Sequence, residues 1–144
     1  MTQIRIEGLL RPGEIARLFG IDESTVRLAD KQGRFEADQR TPGGHRRYDP
    51  YKAIAFYDEL RRWAGKPRAS TAEAFNDPRV KQALAVAVEP IGKGRLERLR
   101  ASCTVAECGW AITLPRSLGA TAEARHFAAR LYVGHLLDDH ADRI

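Results

Sequence analysis

Breakers divide the first fifty residues of this 144-residue chain more tightly than any other feature constrains it. Gly20, Gly33, Pro42-Gly43-Gly44 and Asp49-Pro50 lie so close together that a helix between them is limited to about a dozen residues. Proline suits the first helical position, and Ile15, Leu18 and Phe19 share one helical face. Together they predict a helix from about Pro12 to Phe19, ended by Gly20. Asp22 is placed to cap a second helix that runs through Gln32 and stops at Gly33. In that helix Val26 and Ala29 turn inward with Ile21, which leaves Ser24, Thr25, Arg27 and Lys31 outside.

Two short helices joined by three or four residues that include glycine form a helix-turn-helix pattern. After Gly33 the periodicity changes. Phe35 and Tyr48 flank Gln39-Arg40-Thr41-Pro42-Gly43-Gly44-His45-Arg46-Arg47, and Gly43-Gly44 supplies the positive φ of a hairpin tip, so a two-stranded β-ribbon is expected. Arg40, His45, Arg46 and Arg47 make the ribbon basic, with no acid from Gln39 to Tyr48. Asp49-Pro50 then opens a third helix, in which Ile54, Tyr57, Leu60 and Trp63 recur at near-helical spacing as core positions.

The run Arg11-Pro12-Gly13-Glu14-Ile15-Ala16-Arg17-Leu18-Phe19-Gly20-Ile21, followed by Ser24-Thr25-Val26-Arg27, Gly33-Arg34-Phe35 and Thr41-Pro42-Gly43-Gly44-His45-Arg46-Arg47-Tyr48, resembles MerR-like winged helix-turn-helix domains. The small single-domain branch that includes excisionases and actinobacterial developmental regulators is the nearest in pattern. The resemblance covers about residues 9–62. Two positions depart from it. Leu28-Ala29 stands where Arg-Trp or two aromatics are usual, which removes one expected phosphate or base contact. Arg11 replaces the usual Ser or Thr cap, a change worth ~1 kcal/mol to the first helix.

The resemblance implies DNA binding, and the residue chemistry agrees with it. A helix fits the major groove, where Ser24, Thr25, Arg27 and Lys31 could reach base edges or phosphates. Arg40, Thr41, Arg46 and Arg47 in the ribbon would lie over the backbone or minor groove. The alternative for Arg27 and Lys31 is a solvated helix face, and for His45 a turn-stabilising role in place of phosphate donation. A formal charge of +5 permits a polyanionic partner without requiring one.

Residues 66–100 hold most of the excess charge. Gly65 to Thr71 reads as a linker, and Glu89-Pro90-Ile91-Gly92-Lys93-Gly94 as a second break. Between them Pro78 to Val88 forms a short apolar helix that serves packing or self-association. Lys93, Arg95, Arg98 and Arg100 read as a basic helix face, either solvated or extended along DNA phosphates. MerR regulators proper pair through a long antiparallel coiled coil, and no stretch here sustains the heptads for one.

The last third contains both cysteines and three of the four histidines. Thr121 caps a long helix that contains His126, His135 and His140. On an ideal helix His126 and His140 lie ~21 Å apart, too far for one ion. His135 and His140 are ~7.5 Å apart along the axis and ~140° apart around it, so sharing an ion requires a loosened last turn. The candidate set is Cys103, Cys108, His135 and His140, thiolates and imidazoles of the kind that tetrahedral Zn²⁺ prefers. Free thiols or a Cys103–Cys108 disulfide are the alternatives. Trp110 to Leu114 is expected to form a strand before the helix, with Leu131, Val133, Leu136 and Leu137 beneath the metal. A module of this size has little core of its own, and a structural zinc would supply the missing stability.

The expected fold is thus mainly α with small β-hairpins. A winged helix-turn-helix domain (1–64) is followed by a linker and connecting helix (65–100) and a zinc-finger-like Cys2His2 module (101–144). The expected function is sequence-specific DNA-binding transcriptional regulation. The alternatives are an excisionase-like architectural factor that bends DNA, and a metal- or redox-responsive interaction protein. Partners are double-stranded DNA and, beyond it, a second copy or the transcription or recombination machinery. No phosphate-cradling glycine loop, His-Glu-x-x-His or serine nucleophile elbow is present, so no catalysis is expected. No apolar run approaches membrane-spanning length and the start lacks the order of a secretory signal, so a cytoplasmic, nucleoid-associated protein is expected.

Overall fold

The computed structural model describes residues 9–40, 42, 45–63 and 71–140, apart from the side chains of Ala72 and Glu73. Thr41, Gly43, Gly44 and the linker residues 65–70 lie outside the described residues. The protein is mainly helical with two small antiparallel sheets.

The breakers act where the sequence places them. Helix α1 spans Pro12–Phe19 and ends at Gly20 in a left-handed conformation. Arg11 gives it no side-chain cap, but Glu14 Oε1 accepts the Arg11 backbone N–H at 2.8 Å, so one exposed donor of the first turn is still satisfied. Helix α2 spans Glu23–Lys31. Asp22 occupies its N-cap position without a side-chain hydrogen bond. Strands β1 (Gln39–Arg40) and β2 (Arg46–Arg47) pair antiparallel, and helix α3 spans Pro50–Trp63. Leu10 and Tyr48 exchange both backbone hydrogen bonds at 2.8 Å, which ties the chain entering α1 to the end of the hairpin.

Helix α4 (Thr71–Ala74) and helix α5 (Pro78–Ala87) follow. Residues 88–102 then depart from the expected break and basic helix. They form β3 (Val88–Ile91) and β4 (Arg98–Ser102), an antiparallel pair joined by a short 3-10 turn. Strand β3 is an edge strand, where Pro90 costs no ladder bond to a second neighbour. Leu99 and Ala101 alternate inward from β4. Strand β5 (Ala111–Thr113) completes the sheet in the order β3-β4-β5, and helix α6 spans Ala122–Asp139 with Thr121 as a true side-chain cap.

Helix α6 is the centre of the protein. Eleven of its residues are buried, Phe127, Leu131, Tyr132 and Val133 among them, so it is enclosed on nearly every side. It packs on α3, α4 and β4. Ile15, Phe35 and Ile54 belong to the same buried cluster as Leu99, Leu114 and Phe127. The three segments read from composition therefore share a core, and the boundary drawn at 100/101 falls within β4. Phe19 joins the two ends of the chain, its ring 5.0 Å from Tyr57 on α3 and 6.2 Å from Phe127 on α6.

Polar groups reinforce this joint. Asp58 on α3 accepts hydrogen bonds from Thr71 Oγ1 at 3.0 Å and from the Arg130 guanidinium of α6 at 2.7 Å. Arg61, buried, meets Asp138 of α6 at 2.7 Å.

Candidate nucleic-acid interface and candidate metal centre

On α2 the burial of Val26 and Ala29 fixes which face points outward. Ser24, Arg27, Leu28 and Lys31 form one exposed stripe at i, i+3, i+4 and i+7, and Thr25 is exposed beside it. Arg27 is oriented by Glu23, with a guanidinium–carboxylate distance of 2.6 Å. Leu28, where the resemblance implies only a lost contact, stands 54% exposed on the same stripe.

The hairpin is anchored to α2 through Asp30. Tyr48 Oη donates to Asp30 Oδ2 at 2.8 Å. Arg46 Nε lies 3.1 Å from the same oxygen, close enough for charge attraction but not aligned for a hydrogen bond. Burial, and then the bond to Asp30, push the Tyr48 phenol well above its ordinary range. Arg46 is thus largely committed to holding the hairpin in place, whereas Arg40 is exposed and Arg47 is half-buried, with one guanidinium nitrogen donating to the Arg46 carbonyl. Asp30 was not among the sequence-predicted residues, because its partners lie 16 and 18 positions away and no local spacing signals them.

Between α1, the start of α2 and the hairpin lies an open groove of about 620 Å³. Arg17, Glu23, Arg27, His45, Arg46 and Arg47 are among the residues that line it. Arg27, His45, Arg46 and Arg47, from the sequence-predicted set, therefore meet on one concavity, while Ser24, Thr25, Lys31 and Arg40 lie exposed outside its wall.

The second cluster assembles around the C-terminal end of α6. Ligand atoms of Cys103, Cys108, His135 and His140 all lie within 4.8 Å of one another. Cys108 Sγ is 3.3 Å from His135 Nε2 and 3.4 Å from His140 Nε2. A tetrahedral ion with bonds of ~2.3 Å to sulfur and ~2.0 Å to nitrogen separates neighbouring ligand atoms by roughly 3.3–3.8 Å, so these spacings suit one. The geometric obstacle is removed as the sequence required. Helix α6 ends at Asp139, and His140 leaves helical conformation at φ −135°, ψ 38°, which swings its ring back toward His135. His126 lies elsewhere, between Tyr51, Phe75 and Arg130.

The surroundings of the cluster match its chemistry. Asp139 Oδ2 sits 2.9 Å from His135 Nδ1, which places the ring proton on Nδ1 and leaves the Nε2 lone pair facing Cys108. Trp110 stacks on His135 at 4.6 Å with the rings 8° from parallel. Burial holds the His135 pKa below the ordinary imidazole value, against the opposing pull of Asp139. Desolvation by burial pushes the Cys103 thiol up. A neutral imidazole is the metal-binding form, and a cation would offset the cost of a buried thiolate. Tyr132 Oη accepts the Thr104 backbone N–H at 3.2 Å and positions the turn that bears both cysteines. Leu131, Val133, Leu136 and Leu137 are all buried on α6, but only Leu136 shares a cluster with Tyr132, Trp110 and Cys103; Leu131 belongs to the main core, and Val133 and Leu137 pack with Ala74 and Val80.

Residues 11–48 match the family model described as MerR family regulatory protein. The match coincides with α1, α2 and the hairpin, and it supports a MerR-like, DNA-binding helix-turn-helix in this segment. No curated protein and no solved structure matches the chain. No helix among the described residues is long and apolar enough to cross a membrane.

Proposed function

We propose that the protein is a sequence-specific DNA-binding transcriptional regulator. In this reading α2 enters the major groove and the β1–β2 hairpin acts as a wing on the adjoining backbone. The observation that carries it is the shared groove: Arg27 from α2 and His45 and Arg47 from the hairpin line one concavity within the segment that matches the MerR model. Arg27 is the residue of the stripe best suited to a guanine edge, because its two parallel donors match O6 and N7. Leu28 beside it offers an apolar contact for a thymine methyl group. Arg40 and Arg47 serve as backbone contacts, while Arg46 holds the hairpin in register through Asp30.

The Cys103, Cys108, His135 and His140 set is assigned a structural Zn²⁺, with two thiolates and two imidazoles closing the coordination sphere and no position left for catalysis. The ion would pin the Cys-bearing turn to the end of α6, the helix that packs on α3 and meets Phe19 of α1 through Phe127.

Genome-wide mapping of bound sites tests the regulatory assignment. Occupancy at promoters with a transcriptional response supports it. Occupancy confined to a recombination site would instead favour an architectural, excisionase-like role. Elemental analysis of chelator-free protein tests the zinc assignment, and a preparation with no zinc overturns it.

A further inference from the structure

A second concavity of about 740 Å³ adjoins that groove along α1, between the helix-turn-helix segment and the β4–β5 sheet. Five arginines line it: Arg11 and Arg17 from α1 and its approach, Arg47 from the hairpin, Arg98 from β4, and Arg116 from the turn that follows β5. Among the described residues none of the five forms an ion pair. Among the described residues Glu14 is the one carboxylate in the wall, and it already accepts the Arg11 backbone N–H. Arg98 Nε is buried and, among the described residues, has no hydrogen-bond partner. A buried donor on a charged group carries a desolvation cost that only an acceptor can offset. Five like charges around one cavity also repel one another, so the arrangement is suited to an anion.

We propose that this cavity holds the phosphate backbone of DNA flanking the segment contacted by α2 and the hairpin. Two features select duplex backbone over a small organic phosphate. Arg11, Arg17, Glu14 and Arg47 line both this cavity and the groove that contains Arg27, so a single basic trough runs from the helix-turn-helix face to Arg98 and Arg116. No aromatic side chain lines the cavity among the described residues, which leaves a nucleotide base no surface to stack on. Leu9, Leu18, Leu114 and Pro115 provide the apolar part of the wall. The sheet that follows the helix-turn-helix segment thereby becomes part of the DNA footprint.

This inference rests on the DNA-binding reading, and the experiment separates the two. The probe is a duplex of about four helical turns selected from a random library by the full-length protein, compared with its inner two turns alone. Affinities are measured by fluorescence anisotropy over a range of salt concentrations. Each phosphate contact contributes about 0.9 to the slope of log K against log salt. The double variant Arg98→Ala/Arg116→Ala is expected to reduce that slope by about 2 on the long duplex and to leave the short one unchanged. Arg98→Lys should keep most of the slope. If Arg98→Ala fails to fold, the exposed Arg116→Ala alone should lower the slope by about 1 on the long duplex only. An unchanged slope on the long duplex overturns the proposal, as does an equal loss on both duplexes. Calorimetric binding of a nucleoside triphosphate that the double variant abolishes, with the long-duplex slope intact, overturns it in favour of a small phosphate ligand. Failure of the wild-type chain to bind any duplex defeats the DNA-binding reading itself and is recognised separately.

Discussion

Asp139 and His135 lie one turn apart on α6, and the carboxylate meets the ring Nδ1 at 2.9 Å. This contact fixes the tautomer that turns Nε2 toward Cys108, although Asp139 itself touches none of the other three ligands. In the proposed metal centre it is a positioning residue. Asp139→Ala is expected to weaken Zn²⁺ binding by about 10–100-fold. Because Asp139 is largely exposed, the variant should still fold. Competition with a chromophoric chelator measures the change, and an affinity equal to wild type would show that the carboxylate is incidental.

Loss of a ligand should be more severe. Cys108 contacts both histidines, so Cys108→Ser removes the residue at the middle of the cluster. A marked fall in thermal stability is expected in zinc-replete buffer, together with insensitivity to added chelator. Wild-type protein should lose stability on chelation. Equal melting of the two proteins under both conditions would dispose of a structural zinc.

The three arginines of the proposed DNA face should behave differently from one another. Arg27→Ala is expected to cost about 1–3 kcal/mol of specific binding and to relax discrimination at one base pair. Arg47→Ala should weaken binding to all sequences and lower the salt slope by about 1. Arg46→Ala should act on the protein before it acts on DNA, since among the described side chains it leaves Asp30 with only the Tyr48 hydroxyl; a stability loss of about 1–3 kcal/mol is expected. Denaturant unfolding beside DNA titration separates the two kinds of effect. An Arg46 variant with wild-type stability but lost DNA affinity would reverse the assignment.

What was legible in the sequence follows from how local each signal is. Pro12, Gly20, Gly33 and Pro50 act on their own backbone, so α1, α2 and the start of α3 stand where their breakers put them. The Cys/His cluster was legible because thiol and imidazole are scarce ligand types and the 135/140 spacing left one geometric solution, a broken last turn. The β3–β4 hairpin was not legible. Pro90, Gly92 and Gly94 are equally compatible with a loop, and two inward residues, Leu99 and Ala101, cannot distinguish a strand from a helix. Nor could composition show that the segments share a core. That depends on α6 being enclosed, and its partners Phe19, Tyr57 and Leu99 carry no mark in the sequence of what they will touch.

Gly134 shows how close that packing is. A Cβ at this position would overlap the ring and hydroxyl of Tyr57 on α3. Alanine favours a helix by up to about 1 kcal/mol over glycine, yet here overpacking should win. Gly134→Ala is expected to destabilise the protein by about 1–3 kcal/mol, and Gly134→Ala/Tyr57→Phe to recover little of this because the ring itself is in the way. Chemical denaturation of the three proteins checks the order, and a stabilised Gly134→Ala protein would mean that α3 and α6 are free to separate.

The pH response offers a further test of the same joint. His126 faces the Tyr51 and Phe75 rings and the Arg130 guanidinium, which approaches its Nε2 to 3.3 Å. Burial first, and then the charge of Arg130, lower its pKa below the ordinary 6.5. The unfolded chain therefore takes up this proton at a higher pH than the folded one. Stability from this site is complete above pH 6.5 and is lost as pH falls from there through the lowered folded value. His126→Gln cannot take up the proton and should flatten that part of the stability profile. The comparison is made with Zn²⁺ saturating, so that His135 and His140 remain bound in both proteins. The difference in unfolding free energy between wild type and His126→Gln should then change below pH 6.5 and be constant above it. A difference that is constant across the whole range would place His126 in solvent rather than against α3.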